Sequence, residues 1–137
     1  MSTTRHLFVY GTLMTSAEGA AIGTAERARL HAASKSLGAA SLPGRLYDAG
    51  RYPLLVDSKE PGDIVHGEVL SLDEPAMVFP FLDPYEGIDP ARPDDGMYRR
   101  VVRTVTLHDG SARDAWVYLY QRDVSRRRRI ADGRWRP

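Results

Sequence analysis

The chain has 137 residues, of which 42% are hydrophobic and 27% charged, and its formal net charge is +1. This length fits one domain better than two, and a domain of about 150 residues buries roughly two-thirds of the surface that its unfolded chain exposes. The near-neutral charge argues against partners that are recognised through a broad electrostatic field, such as nucleic acid or an anionic membrane. The sequence contains no cysteine, which excludes a disulfide framework, thiolate catalysis and a cysteine-based zinc site.

The beginning of the sequence shows no sign of secretion or membrane targeting. Residues 1–6 run straight into a strand-like stretch, without the apolar segment of a secretory signal. The sequence also lacks the run of about 18 apolar residues that a membrane-spanning helix needs. We therefore expect a cytoplasmic protein without a membrane partner.

The first part of the chain predicts a strand, a helix and a strand-rich segment. Residues 7–10 form a short apolar run of strand-forming residues that ends at Gly11. Residues 25–33 are rich in Ala, Arg, Glu and Leu, which favours a helix. Residues 36–56 mix strand formers with turn formers such as Pro43-Gly44, and this mixture is typical of several short strands.

A long strand and a second helix are predicted next. Residues 64–72 place alternate side chains on opposite sides, as a strand does. Asp73-Glu74-Pro75 is a good helix start, with the aspartate as cap and the proline in the first turn. Pro80 and Pro84 should kink or shorten this helix.

The last strands indicate the fold class. Residues 98–107 and 113–120 are strand-like and flank Asp109-Gly110, which is a strong hairpin signal. The total of about six or seven strands with two flanking helices predicts an α+β domain built on a small mixed β-barrel, closed or nearly closed.

The sequence predicts a domain at residues 1–124 followed by an Arg-rich C-terminal tail at residues 125–137. The tail contains four consecutive arginines at residues 126–129. We expect it either to be solvated or to dock against an acidic surface of its own fold. Phosphate binding is a further possibility for such a run, but the chain's charge of +1 offers no supporting basic face.

The first candidate site is the turn at the end of the first strand, which we call the Gly11 loop and define as Tyr10, Gly11, Thr12 and Leu13. The missing Cβ of Gly11 lets the backbone turn tightly and lets a ligand approach its amides. Successive free N–H groups in such a turn form a concavity that suits a carboxylate or another anion. An ordinary turn at a strand end is the alternative.

The second candidate is Glu86, which lies beyond the apolar face of the second helix and next to Gly87. A carboxyl group held in an apolar pocket has its pKa raised towards neutrality, which suits a general acid/base. The alternative is a surface glutamate beside a helix-terminating glycine. Asp83 and Glu86 are neighbours on one helical turn, so they do not form the opposed carboxylate pair of a glycosidase.

Other catalytic patterns are missing from the sequence. The four histidines are scattered without metal-ligand spacing, and there is neither a Gly-rich phosphate loop nor a G-x-S-x-G motif. The histidines therefore predict no metal site, and neither a phosphate-binding loop nor a serine nucleophile is indicated.

Several motifs gain weight when they are taken together, since their order and spacing resemble those of one superfamily. They are Phe8-Val9-Tyr10-Gly11-Thr12-Leu13, Gly44-Arg45-Leu46-Tyr47, Tyr52-Pro53, Leu82-Asp83-Pro84-Tyr85-Glu86-Gly87, Tyr98-Arg99-Arg100 and Ala115-Trp116-Val117-Tyr118. In this order they resemble the gamma-glutamylcyclotransferase-like superfamily, including its plant avirulence-induced-gene-like and bacterial gamma-glutamylamine cyclotransferase-like members. The resemblance covers roughly residues 7 to 120.

This resemblance implies a small mixed barrel with a pocket at one end, and an enzyme without a cofactor. In that family the Gly11 loop binds the α-amino-acid end of the substrate through its backbone amides. Glu86 corresponds to the family's acid/base glutamate, and Tyr118 to a tyrosine that faces the pocket. The reaction implied is the cyclisation of a γ-glutamyl amine or amino acid to 5-oxoproline, with release of the amine.

Some questions stay open at this stage. A non-catalytic module on the same scaffold, binding a small ligand or a protein, is the alternative to the enzyme. Residues 88–97 depart from the family pattern, so the amine half of the substrate is not identified. We expect a small γ-glutamyl compound as partner, no nucleic acid, and a monomer or a weak homo-oligomer.

Overall fold

The computed structural model describes residues 4–17, 19–20, 22–89, 91–92 and 94–137. These residues form eight strands, two α-helices and a short 3-10 helix at Thr15–Ala17. The α-helices are α1 (Thr24–Ala32) and α2 (Pro75–Tyr85). The strands are β1 (His6–Val9), β2 (Ser34–Pro43), β3 (Arg45–Asp48), β4 (Pro53–Val56), β5 (Ile64–Leu72), β6 (Tyr98–Leu107), β7 (Ala112–Tyr120) and β8 (Arg128–Ile130).

Five of the strands close into a barrel in the order β1-β5-β2-β6-β7. Neighbouring strands are antiparallel except β1 and β7, which pair in parallel through Leu7 and Trp116 and so close the barrel. This mixed barrel and the two helices confirm the predicted α+β class, and Asp109-Gly110 lies in the turn of the predicted hairpin. The described residues hold more strands than the predicted number of about six or seven, because β8 forms within the predicted tail and joins β3 and β4 in a second sheet outside the barrel.

Buried apolar side chains of the strands hold the barrel together. Phe8 is 1% exposed, and Val65 and Val117 are fully buried in the same core cluster. Burying one such side chain contributes about 1.5–3 kcal/mol. Gly67 lets β5 and the end of β1 approach closely, since a Cβ there would press on the Val9 carbonyl oxygen and on the Phe8 ring.

The helices lie close to their predicted positions, with differences at the second one. The predicted cap of α2 is wrong by one residue, because Glu74, not Asp73, takes the cap position, in extended backbone and without a side-chain cap hydrogen bond. Pro80 and Pro84 do not shorten the helix, since α2 continues through both to Tyr85, and a kink at these prolines stays a prediction. Within the described part of the chain, no helix has the length and apolar character needed to cross a membrane.

The C-terminal tail packs against the fold. β8 pairs with β3 in an antiparallel sheet of order β4-β3-β8. The carbonyl oxygen of Gly133 accepts a hydrogen bond from the His66 N–H, and Trp135 is 8% exposed. A fully solvated tail is therefore wrong, and the alternative of docking against the acidic groups of the fold describes these contacts.

The carboxylate of Asp63 gathers the polar contacts that hold the tail. It accepts hydrogen bonds from Arg45 Nε and Arg129 Nη2, each at 2.5 Å, and from Ser58 Oγ at 2.6 Å. The Ser58 hydroxyl and the two guanidinium groups hold the pKa of Asp63 well below its usual range. Several charges joined in one network stabilise a surface more than an isolated exposed ion pair does.

Candidate active site

A cavity of about 210 Å³ lies where β1 ends and α2 ends. Its wall is mostly apolar and aromatic, and β6 and β7 contribute one tyrosine each. Cavities of this kind, with a few polar groups among apolar ones, are the usual sites of small-molecule binding. The lining residues that matter below are Tyr10, Gly11, Thr12, Leu13, Tyr52, Pro53, Tyr85, Glu86, Tyr98 and Tyr118.

The Gly11 loop forms one wall of this cavity. All four of its residues are buried, and the Met14 N–H donates to the Gly11 carbonyl oxygen at 3.0 Å, which closes the turn. The N–H groups of Gly11, Thr12 and Leu13 have no hydrogen-bond acceptor among the described residues. Buried N–H groups without an acceptor are rare and costly, so three in succession beside a cavity favour an anionic ligand.

Two contacts explain why the Gly11 loop has this sequence. A Cβ at Gly11 would lie 2.6 Å from Pro53 Cδ, closer than carbon atoms can approach, so glycine is required there. Thr12 Oγ1 lies 2.7 Å from the hydroxyl oxygen of Tyr85, in a hydrogen bond that ties the loop to the last residue of α2.

Glu86 follows α2 directly and lines the same cavity. Its backbone N–H donates to the Leu82 carbonyl oxygen at 3.0 Å, and Gly87 then adopts a φ of 77°, which ends the helix. The carboxyl group makes no hydrogen bond or ion pair with a described residue. Burial, with a smaller contribution from the negative charge of Asp83, raises the pKa of Glu86 to about 8. A carboxyl group with this pKa exchanges protons near neutral pH.

Glu86 is only partly buried as a residue, although its carboxyl group is strongly desolvated. The two observations agree because Glu86 lines the cavity. The surrounding walls replace bulk water around the carboxyl group while leaving room for a substrate atom to reach it.

Tyr118 lines the cavity, and its hydroxyl group is held by Asp83. The Tyr118 hydroxyl donates to Asp83 Oδ1 at 2.6 Å. Arg100 donates to both oxygens of the same carboxylate, from Nε at 3.0 Å and from Nη2 at 3.2 Å. Burial and the bond to Asp83 raise the pKa of Tyr118, so the phenol stays protonated in the physiological range.

Two further tyrosines use their hydroxyl groups to fix the wall. Tyr10 donates to the Tyr118 carbonyl oxygen at 2.5 Å, and Tyr98 donates to the Pro53 carbonyl oxygen at 2.9 Å. Burial raises the pKa of both phenols, so neither ionises near neutral pH. The most acidic cavity-lining side chain in the described part of the chain is therefore Glu86.

A comparison with protein families identifies the group to which this fold and cavity belong. The model of the family described as "Gamma-glutamyl cyclotransferase, AIG2-like" matches residues 7–137, which include the Gly11 loop, Glu86 and Tyr118. The chain belongs to this family. We refer to it below as the AIG2-like cyclotransferase family.

Solved structures share the fold of this family member. YkqA from Bacillus subtilis is 25% identical with a TM-score of 0.68 over 97% of this chain, which spans only 40% of YkqA. The protein ytfP from Escherichia coli is 27% identical, with a TM-score of 0.62 over 95% of each chain. An AIG2-like protein from Mus musculus is 23% identical, with a TM-score of 0.62 over 99% of this chain and 97% of its own. No curated protein matches the sequence.

The site residues that the sequence singled out all meet at one cavity in this AIG2-like family member. The Gly11 loop, Glu86 and Tyr118 line it together, and their roles in binding and catalysis stay predictions. The arginine run belongs to the docked tail and lies outside the residues that line the cavity. Among the described residues, no group of three His, Asp or Glu side chains is arranged to hold a metal ion.

Sequence reasoning missed several residues that shape the site. The sequence assigned Asp83 no role in the site, although it lies inside the Leu82–Gly87 motif; in the structure it anchors Tyr118 and Arg100. Tyr85 lies inside the Leu82–Gly87 motif, directly before Glu86, which is a signal that could have found it. Tyr98 opens the Tyr98-Arg99-Arg100 motif, which is likewise a signal that could have found it.

Proposed function

We propose that this protein is a γ-glutamyl cyclotransferase-type enzyme, which converts a γ-glutamyl amine or γ-glutamyl amino acid to 5-oxoproline and releases the amine. Membership of the AIG2-like family supports this reaction class. One observation carries the proposal: the Glu86 carboxyl group, with a pKa of about 8, lines the same cavity as the unpaired amides of the Gly11 loop.

Glu86 carries the proton in this mechanism. The α-amine of a γ-glutamyl group has a pKa of about 8 and is mostly an unreactive ammonium in neutral water. Because the pKa of Glu86 is also about 8, its carboxylate accepts this proton at little free-energy cost. A positioned proton transfer of this kind contributes about 10²–10⁴-fold to the rate.

The freed amine then attacks the γ-carbonyl carbon of the same molecule. A new C–N bond closes a five-membered ring, and the carbonyl oxygen takes the electron pair of the broken π bond. When the carbonyl forms again, the original C–N bond breaks and Glu86 delivers its proton to the leaving nitrogen. The ring nitrogen still carries the second proton of the attacking amine, which Glu86 accepts and passes to the released amine. The products are 5-oxoproline and the amine as its ammonium ion, and Glu86 returns to the carboxylate form.

The Gly11 loop holds the substrate for this ring closure. Its free N–H groups bind the α-carboxylate, which is the one permanent negative charge at the reacting end of the substrate. Holding that end while the γ-carbonyl folds back removes rotational freedom before the chemistry begins. The aromatic walls around the carboxyl group limit access of water to the proton transfer.

The test is a mass-spectrometric screen for 5-oxoproline released from a panel of γ-glutamyl amines and amino acids. We expect at least one compound to be turned over, and Glu86→Gln to lower kcat/KM by about 10²–10⁴-fold. Glu60→Gln is the matched control, since it makes the same chemical change in an exposed turn and should leave kcat/KM unchanged.

Two results would count against this function. Equal turnover by Glu86→Gln would remove Glu86 from the mechanism. Thermal stabilisation by γ-glutamyl compounds without any product would favour a binding module on the same fold.

A further inference from the structure

Arg27 is a buried cation directly behind the Gly11 loop. It lies on α1 and is only 8% exposed, and its Nη1 donates to the Thr12 carbonyl oxygen at 2.8 Å. No carboxylate of the described residues lies within 4.0 Å of its guanidinium group. Buried charges are normally paired with an opposite charge, because leaving water is costly for an ion.

The contact with Thr12 determines where the next amide points. No cis peptide bond occurs in the described part of the chain, and in a trans peptide the C=O and the following N–H point in opposite directions. With the Thr12 carbonyl oxygen held towards Arg27, the Leu13 N–H is directed away from α1. A hydrogen bond on the carbonyl oxygen also polarises the peptide unit, which makes its N–H a stronger donor.

A second side chain of α1 holds the following peptide. His31 Nε2 donates to the Leu13 carbonyl oxygen at 2.7 Å. Residues 27 and 31 are four apart and therefore lie on the same face of the helix. Helix α1 thus fixes two consecutive carbonyl groups of the loop, while the amides on the other side have no acceptor among the described residues.

We propose that Arg27 is a positioning residue for the carboxylate of the substrate. It orients and polarises the Thr12–Leu13 peptide, and it places a positive charge behind the loop that a bound carboxylate balances. This inference rests on the proposed function and deepens it, because it names the cation that orients and polarises the carboxylate-binding amides of the Gly11 loop. A purely structural arginine would instead support every ligand of the cavity equally.

Two lactams that differ only in the carboxylate separate these accounts. 5-Oxoproline carries the group and 2-pyrrolidinone lacks it, and calorimetry measures the affinity of each. For wild type we expect tighter binding of 5-oxoproline. Arg27→Gln should weaken the binding of 5-oxoproline about tenfold, which is the lower end of what one hydrogen bond to a charged group contributes, since the Leu13 amide loses its orienting and polarising partner. It should change the binding of 2-pyrrolidinone less than about twofold. On a substrate that is turned over, KM should rise about tenfold while kcat stays nearly constant.

Arg29→Gln is the matched control, because Arg29 is exposed on the same helix, with its guanidinium carbon 4.1 Å from the centre of the Phe81 ring. It should change neither affinity. If Arg27→Gln does not fold, Arg27→Met keeps an unbranched side chain in the buried position. The ratio of its affinities for 5-oxoproline and 2-pyrrolidinone then tests the proposal in the same way. Arg27→Lys retains a cation and should restore part of the preference for 5-oxoproline.

The inference is overturned if the Arg27 variants weaken both lactams equally or keep the full preference for 5-oxoproline. In either case the proposed function stands, provided that wild type still releases 5-oxoproline from a γ-glutamyl compound. If wild type neither binds 5-oxoproline nor produces it, the proposed function fails and this inference fails with it.

Discussion

Glu86 owes its proton affinity to its surroundings. Desolvation by the cavity wall is the larger cause of its raised pKa, and the nearby charge of Asp83 is the smaller one. Arg100 limits the effect of Asp83 by pairing with it. Because the carboxyl group ionises more easily in the unfolded chain than in the fold, its ionisation lowers the stability of the fold.

This linkage predicts how Glu86→Gln changes stability with pH. Below about pH 4 the carboxyl group is neutral in both states, so glutamine and glutamic acid should give equal free energies of unfolding. As pH rises from about 4 to about 8, wild type progressively loses stability and the variant does not; above about pH 8 the difference is constant, on the order of 3 kcal/mol after allowance for partial exposure. Urea unfolding at pH 4, 6 and 9 measures the difference, with Glu60→Gln as reference. A difference that does not vary with pH would contradict the assignment.

The candidate site was predictable at the level of the residue only where its residues are close in sequence. The position of Glu86 followed from the end of an apolar helix beside Gly87, and the Gly11 loop from a strand that ends in glycine. The anchors were not predictable in this way. Asp83 meets Tyr118 across 35 residues and Arg27 meets Thr12 across 15, and no local pattern encodes such contacts.

At the level of elements, β8 is the main departure from expectation. A strand of three residues with two arginines has almost no apolar alternation to reveal it. It forms because β3 offers a free edge and Asp63 supplies a carboxylate for both Arg45 and Arg129. The arginine run is therefore stabilised by partners from distant parts of the chain.

Asp63→Asn should lower the melting temperature at pH 7 and increase hydrogen exchange in β8. Asp57→Asn is the matched control, because Asp57 makes one exposed ion pair with Arg103 and such pairs contribute little. Since the pKa of Asp63 is lowered in the fold, its contribution is present at neutral pH and is lost as pH falls below about 4. The melting temperatures of wild type and Asp63→Asn should therefore converge as the pH is lowered. Equal effects of the two substitutions would show that Asp63 has no special role in docking the tail.

At the level of the whole molecule, barrel closure brings the site together. The parallel pairing of β1 with β7 places Tyr10 against Tyr118, which are 108 residues apart. Alternation of side chains along the chain predicted the α+β class, since that depends on local pattern. It did not predict the division into a closed five-strand barrel and a separate sheet of three, because strand pairing depends on contacts between distant segments.

The central claim is that Glu86 exchanges a proton with the α-amine of the substrate, and the pH dependence of kcat/KM tests it most directly. This quantity reports the ionisations of free enzyme and free substrate. The pKa of Glu86 is about 8 and that of the amine is also about 8. The active combination is Glu86 as the carboxylate with the substrate amine as the ammonium. We predict a narrow bell with its maximum near pH 8, falling about tenfold per pH unit well to either side. A profile that is flat from about pH 5 to 7, with its acid limb at the ordinary glutamate value of about 4.3, would contradict the account.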